Sequence, residues 1–354
     1  MQLEFKIVTL RRREPLVSQK GSLSEVRQLF LRLTWEGKLG HGASVLGRGA
    51  GTRGAEDLVA SALAGCQAAL HGATPFEFEA VLDLCEPVLA DHPSALAAMD
   101  IALHDLLGQA ARLPLHCLWG LHGHVLPPTA ISISITDEAT RVRRACELAA
   151  WPILKLKLAA DDNLQVVARI REVYRGRLWV DANGGWTPDR AIVAAHYLKD
   201  LDVELLEQPV PPGCLVALAA VHRASPIPVV ADEDCIGPAD VLRLRHCTDT
   251  INIKLFKCGG LRRAREVALL ARRVGLRVMV GSKVESVLGV TAIAHLAGLA
   301  DYADLDGHLD LVNDPYAGIV IDHGNITLPH DPGLGVILSA PLSIGSPYDA
   351  NYTA

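Results

Sequence analysis

Aromatic residues are scarce in this 354-residue sequence, at 5% of the total. That shortage, set against abundant Ala, Leu, Val and Gly, excludes a β-sandwich, a disordered chain or a fibrous repeat and fits a helix-rich α/β protein. Lys and Arg total 34 against 40 Asp and Glu, a net charge of −6. No basic block is present that could neutralise a run of phosphates, so nucleic acid is not an expected partner. The most apolar segments, Leu58 to Leu70 and Ala292 to Ala300, are broken by polar groups, and both fall short of the roughly 20 apolar residues of a membrane span. The first ten residues lack the apolar centre of a signal peptide, so a cytoplasmic protein that does not engage membranes is expected. No Cys-x-x-Cys pair occurs. Cys66, Cys85, Cys117, Cys146, Cys214, Cys235, Cys247 and Cys258 are dispersed among apolar neighbours and read as buried thiols rather than disulfides or zinc ligands.

What is present falls into two grammars. Residues 2–10 and 26–35 read as strands, the second leading into the turn Trp35-Glu36-Gly37-Lys38, and from Gly54 to Leu118 the apolar spacing becomes helical. Strands followed by a run of helices predict a separate α+β unit over 1–125, ending near Pro127-Pro128. Beyond it, short apolar runs alternate with helical segments, the pattern of parallel strands with crossover helices. The candidate strands are Ala130–Ile135, Ile153–Leu158, Leu178–Asp181, Val203–Glu207, Val229–Asp232, Thr250–Lys254, Arg277–Gly281 and Tyr302–Asp306.

A doubly wound open sheet would alternate in the same way. The strand ends decide between the two, because Asp181, Glu207, Asp232, Lys254 and the pair Asp304/Asp306 all close apolar runs, where a parallel strand is normally buried on both faces. A closed (β/α)8 barrel gathers all of those ends at one mouth, where such barrels keep their active sites. The sequence therefore predicts an α/β fold of the modified TIM-barrel type over 126–320, with an N-terminal α+β capping domain and a C-terminal segment, 321–354, that returns to the cap.

Strict alternation in Leu154-Lys155-Leu156-Lys157-Leu158 puts both lysines on one face, directed into the barrel. Asp181, Glu207 and Asp232 end three successive strands, and three crowded carboxylates repel unless a cation intervenes. Oxygen ligands alone suit a hard divalent ion, Mg2+ first. Lys254 comes from the sixth strand, roughly across the mouth from Lys157. Two lysines facing each other over a metal can remove a proton from one face of a carbon and return it on the other, with the metal offsetting the charge of the enediolate between the steps. For that their pKa must fall, Lys155 helping to depress Lys157 without acting as the base. Lys257, beside Gly259-Gly260, reads as a loop residue. Asp304 and Asp306 share a face and could clamp an ammonium group. Lys283 and Glu285 face the mouth if the register holds.

These residues resemble the enolase superfamily, its muconate-lactonizing subgroup and, within that, the dipeptide epimerases. The resemblance covers nearly the whole chain. It rests on Ala97-Ala98-Met99-Asp100-Ile101-Ala102-Leu103-His104-Asp105-Leu106-Leu107-Gly108 and Leu113-Pro114-Leu115 in the cap, and on Lys155-Leu156-Lys157, Asp181-Ala182-Asn183, Glu207-Gln208-Pro209, Ala231-Asp232-Glu233 and Asn252-Ile253-Lys254 in the barrel. The tail from Leu328 to Val336 is similar to the subgroup's return segment. The resemblance implies Lys157 and Lys254 as the acid/base pair with Lys155 as helper, and Asp181, Glu207 and Asp232 as Mg2+ ligands. It also implies a cap that closes over the mouth, and Asp304 and Asp306 as the holders of a dipeptide's ammonium. Barrels of this kind often associate into homo-oligomers.

Lys283 stands where these epimerases more often carry a neutral residue, and Lys20 lies in the capping loop Ser18-Gln19-Lys20-Gly21. Together they predict a preference for a dipeptide with an acidic or otherwise electron-rich side chain. Pairing of Lys283 with Asp306 or Glu285 would instead favour an N-acylated substrate, as in the N-acylamino acid racemases and succinylbenzoate synthases. A barrel that binds a metal and a ligand without catalysis is the remaining alternative.

Overall fold

In the computed structural model residues 1–46 and 53–340 are described, so the last part of the expected C-terminal segment, 341–354, lies outside the described residues. An antiparallel meander opens the chain: β1 (Gln2–Ser18), β2 (Gly21–Trp35) and β3 (Lys38–Val45). β1 runs well past the expected Leu10, through a register shift between Arg11 and Leu16. The apolar run in β2 is continuous because both of its faces are covered. Leu29, Leu31 and Leu33 pack into the core of the cap, whereas Val26 and Phe30 belong to the core of the barrel.

The turn after Trp35 closes the expected hairpin by leading into β3, whose extent the sequence leaves unmarked because Gly40 and Gly42 weaken a strand pattern. Their reason is the helix Pro93–Ala111, which lies so close that a Cβ on Gly42 would overlap the Ala98 carbonyl oxygen and one on Gly40 that of Ala102. That helix is apolar almost all round and buried accordingly. Its polar residues hold the domains together. Asp100 accepts hydrogen bonds from the backbone N–H groups of Leu261 (2.6 Å) and Arg262 (3.2 Å), the first turn of the barrel helix Leu261–Arg273. Asp105 accepts from the N–H groups of His41 and Leu334, each at 2.8 Å. Leu113 and Leu115 exchange backbone hydrogen bonds with Gly333, so the chain after the barrel runs back onto the cap.

Eight parallel strands follow: β4 (Ile131–Ile133), β5 (Ile153–Lys157), β6 (Arg177–Asp181), β7 (Val203–Glu207), β8 (Val229–Ala231), β9 (Thr250–Ile253), β10 (Arg277–Gly281) and β11 (Tyr302–Asp304). They neighbour one another in chain order, and a bridge from Thr129 to Ala303 closes the ring. Five are shorter than expected, so that Asp232, Lys254 and Asp306 stand just beyond their strands. Inside, a small apolar cluster of Ala130, Ile153, Trp179, Leu205, Val230, Met279 and Tyr302 fills one layer. Two residues farther along the same inner face stand Ser132, Lys155, Asp181, Glu207, Asp232, Gly281 and Asp304. The alternate residues, such as Leu154, Leu156, Leu178 and Val180, pack outward against the helices. A packed apolar floor thus carries a charged layer.

The expectation for the cysteines is only partly met. Cys66, Cys85, Cys235, Cys247 and Cys258 are buried, but Cys117 is half-buried and Cys146 and Cys214 are exposed; all eight are free thiols. Cys146 lies on the outward face of an amphipathic helix and Cys214 at a helix start, positions that apolar sequence neighbours do not reveal. No described helix is long and apolar enough to cross a membrane.

Burial pushes Asp105 up to about 7, although its hydrogen bonds to Leu334 and His41 pull the other way. The folded protein then keeps a proton that the unfolded chain releases near pH 4, so this contribution to stability is complete below about pH 4 and is lost as pH rises to about 7. Asp105→Asn removes the titration. The stability difference measured by urea denaturation should shift in favour of the variant between about pH 4 and 7 and level off above that; a difference independent of pH would show that Asp105 is ionised in the fold throughout.

Candidate active site

The charged layer is a lattice of buried ion pairs. Lys155, with 1% of its side chain exposed, places Nζ 2.7 Å from Asp304, 2.8 Å from Glu207 and 3.4 Å from Asp181. Burial opposes its charge, but Asp304, Glu207 and Asp181 outweigh it and hold the ammonium well above the ordinary lysine range. Lys155 is therefore a fixed cation. Lys157 Nζ donates to Asp181 at 3.0 Å, and Lys254 Nζ to Asp232 at 2.8 Å.

Burial lowers Lys254, yet Asp232 more than compensates and raises it; the expected fall calls for a divalent ion beside the lysine. The same lysines hold Asp181 and Asp232 low against burial. Glu207 differs, being pushed up to about 7 by burial and by the charges of Asp181 and Asp232, which Lys155 only partly offsets. Within this row of buried, oxygen-only donors, Glu207 alone is left without enough positive charge. Asp181 and Glu207 are directly paired in register on β6 and β7, and Asp232 follows β8 next door. The donor chemistry fits a hard divalent ion. The acids do not converge on one point in this arrangement; lysine ammonium groups are interleaved between them. Such an ion would compete for the carboxylate charge that now raises Lys254.

Several partners of this row carry sequence signals without an assigned role. Lys257, expected in a loop, sits on the short helix Leu255–Cys258, which turns it inward so that Nζ reaches Asp232 at 2.7 Å and the Asn252 carbonyl at 3.0 Å. Asn183, in the left-handed region at φ 45°, binds both oxygens of Asp181 through its N–H (2.8 Å) and side-chain amide (3.0 Å). Gln208, also left-handed, accepts from the N–H groups of Asp232 (2.9 Å) and Glu233 (3.0 Å). Asn252 donates to Glu207 at 3.1 Å. These are positioning residues: they aim the carboxylates.

Above this layer a cavity of about 1000 Å3 opens between barrel and cap. Lys157, Lys254, Asp304 and Asp306 line it from the barrel, together with Lys283; Lys20, Leu16 and Leu23 line it from the β1–β2 hairpin. Asp304 and Asp306 do share the mouth but differ in their partners. Asp304 is engaged by Lys155, whereas one oxygen of Asp306 accepts from the Ser132 N–H at 2.7 Å. Burial and the charge of Asp304 push Asp306 up. Lys283 Nζ lies 5.0 Å from the centre of the Phe256 ring, while its backbone N–H donates to Glu285 at 3.1 Å. Glu285 is pushed up to about 7 by burial. Lys20, at the hairpin tip, forms an ion pair with Glu233, joining cap to barrel across the mouth.

Comparison with known proteins adds a second line of evidence. Residues 2–120 match the family model for the N-terminal domain of mandelate racemase / muconate lactonizing enzyme, and 137–341 match that for the enolase C-terminal domain-like family. The chain is 34% identical to a hydrophobic dipeptide epimerase of Roseobacter litoralis, over 96% of this chain and 99% of that protein. It is 37% identical over 265 residues to an L-Ala-D/L-Glu epimerase of Bacteroides thetaiotaomicron, covering 74% of this chain and 69% of the relative. The crystal structure of a dipeptide epimerase from Enterococcus faecalis, complexed with Mg and L-Leu-L-Tyr, superposes with a TM-score of 0.88 at 30% identity, over 95% and 98% of the two chains.

The oxygen-only donor set, with Glu207 pushed up by its neighbouring acids, predicts cation-dependent stability. Mg2+ at about 100 times its Kd should stabilise the protein by about 2.7 kcal/mol, raising the melting temperature, and EDTA should reverse the gain. Glu207→Gln and Asp232→Asn should each diminish the Mg2+-induced shift. An undiminished shift in both variants would place the ion elsewhere.

Proposed function

Because the chain belongs to the enolase superfamily, in the dipeptide epimerase family of its muconate-lactonizing branch, we propose that it epimerises a dipeptide at the α-carbon next to the carboxylate. Lys157 and Lys254 would carry the inversion, one taking the α-proton and the other returning a proton to the opposite face of the carbon. One observation supports this above the others: the acid row Asp181, Glu207, Asp232 is bracketed by these two lysines, Lys157 pairing with the first acid and Lys254 with the last.

Removing an α-proton beside a carboxylate builds negative charge on the substrate, and the site must meet that charge when it develops. Mg2+ held by Asp181, Glu207 and Asp232 would supply fixed positive charge next to the substrate carboxylate. Lys155 remains protonated among its acids and keeps Asp181, Glu207 and Asp304 in place. With the substrate between them, one terminal lysine acts neutral, as base, and takes the proton from one face; the other, an ammonium, delivers a proton to the opposite face. The roles exchange for the other stereoisomer, so either isomer can be substrate.

Asp306, beside Asp304 and short of a cation, is suited to the α-ammonium of the N-terminal residue. Lys20 and Lys283 on the cavity wall favour an acidic or electron-rich side chain, by exchange of their present partners for the substrate. A second reading, turnover of an N-acylated substrate, draws on the ion pair between Lys155 and Asp304, which leaves a smaller anionic site for an ammonium. We also take the cytoplasm as the place of action, with no nucleic acid or membrane as partner.

A dipeptide panel incubated in D2O and read by mass spectrometry tests this directly. Dipeptides should gain one α-deuterium and N-acylated amino acids should not. Lys157→Ala and Lys254→Ala should each abolish epimerisation and reduce exchange from one stereoisomer by about 100-fold or more while sparing the other; unchanged exchange in both variants would refute the two-base assignment. Asp306→Ala should lower kcat/KM for dipeptides by roughly 10- to 100-fold. Fastest turnover of dipeptides with cationic side chains would overturn the assignment of Lys20 and Lys283.

A further inference from the structure

Far along the cap-to-barrel connection, the stretch Leu115-His116-Cys117-Leu118-Trp119-Gly120-Leu121-His122 folds back on itself. The short helix Leu115–Leu118 is followed by Gly120 at φ 72°, and Leu121 N–H returns to the His116 carbonyl at 2.8 Å. The reversal brings His122 over the helix. Among the described residues, His116, Cys117 and His122 form the one trio of His, Cys, Asp and Glu whose donor atoms all lie within 4.8 Å of one another.

We propose that His116, Cys117 and His122 form a second metal site, outside the barrel mouth, for a borderline-soft divalent ion of the Zn2+ type. The donor set of two imidazoles and one thiolate selects such an ion over Mg2+ or Ca2+. The spacing agrees as well. Around a tetrahedral zinc with Zn–S of about 2.3 Å and Zn–N of about 2.05 Å, sulfur and nitrogen are separated by roughly 3.6 Å. Cys117 Sγ and His122 Nδ1 stand 3.6 Å apart.

The surroundings of His116 prepare it as a ligand. His295 Nε2 faces the Leu334 carbonyl at 3.1 Å and must donate to it, which leaves His295 Nδ1 as an acceptor. That nitrogen receives the His116 backbone N–H at 3.2 Å and lies 3.1 Å from His116 Nδ1. His116 therefore carries its proton on Nδ1 and presents the Nε2 lone pair. A metal-bound histidine is oriented by a hydrogen bond from its other ring nitrogen, and here His295 supplies the acceptor. Burial of His116 and His295 disfavours a charge on either ring. Exposed His122 and half-buried Cys117 leave a path for the ion. On binding, the thiol proton leaves to solvent as the sulfur–metal bond forms, and water completes the coordination.

The full-length protein, kept in saturating Mg2+ to occupy the barrel acids, is titrated calorimetrically with Zn2+ and, in parallel, with Co2+ under visible and near-ultraviolet absorption. The proposal expects one Zn2+ per chain, with proton release, and a sulfur-to-cobalt charge-transfer band. Cys117→Ser should remove that band and weaken Zn2+ binding by about tenfold or more, and His122→Gln, a change at an exposed residue, should weaken it similarly without altering circular dichroism. Zn2+ binding equal in the wild type and both variants, or a cobalt spectrum without a sulfur band, would overturn it.

Discussion

The whole molecule is arranged around one buried ammonium. Lys155 is buried away from bulk solvent, and its charge persists because Asp181, Glu207 and Asp304 approach it from β6, β7 and β11. Removing any of these partners would strand a charge in the interior, which is far costlier than the loss of a surface pair. The strands that bring them must close into a ring, the register of β5, β6 and β7 must hold, and the apolar floor beneath must exclude water. The outer row is tied to this layer at Asp181, a carboxylate that Lys155 and Lys157 share.

The cap depends on the barrel as much as the reverse. β2 buries Leu29, Leu31 and Leu33 in one core and Val26 and Phe30 in the other, so a single strand serves as the wall between two domains. Asp100 reaches out of the cap to begin a barrel helix, and Lys20 meets Glu233 across the mouth. The cavity is bounded by elements of unequal rigidity. Barrel residues stand on strands that are buried on both faces, while Lys20 stands on a hairpin tip.

Much of this was legible in the sequence because period and charge agree there. Inside the barrel every strand obeys the same alternation, so a charged residue two positions after an apolar interior residue marks the mouth, as for Trp179 and Asp181 or Leu205 and Glu207. What escaped has local causes. The extent of β3 is obscured by two glycines whose purpose lies in a helix more than fifty residues away. Lys257 follows its strand by a turn of helix, and only that turn directs it at Asp232. The direction in which Lys254 shifts depends on how the neighbouring acids are balanced, a property of the set rather than of any motif. The thiol of Cys117 gains its two histidine neighbours from a backbone reversal at Gly120, which apolar patterning does not encode.

Asp105 gives the fold a particular order of completion during synthesis. Its carboxylate binds the N–H of His41, made long before, and that of Leu334, which lies 229 residues later in the chain. While the ribosome builds the barrel, the buried acid of the cap waits without its Leu334 donor. The domain encoded first is therefore finished last, when the segment that follows the barrel has been made and Leu334 reaches Asp105.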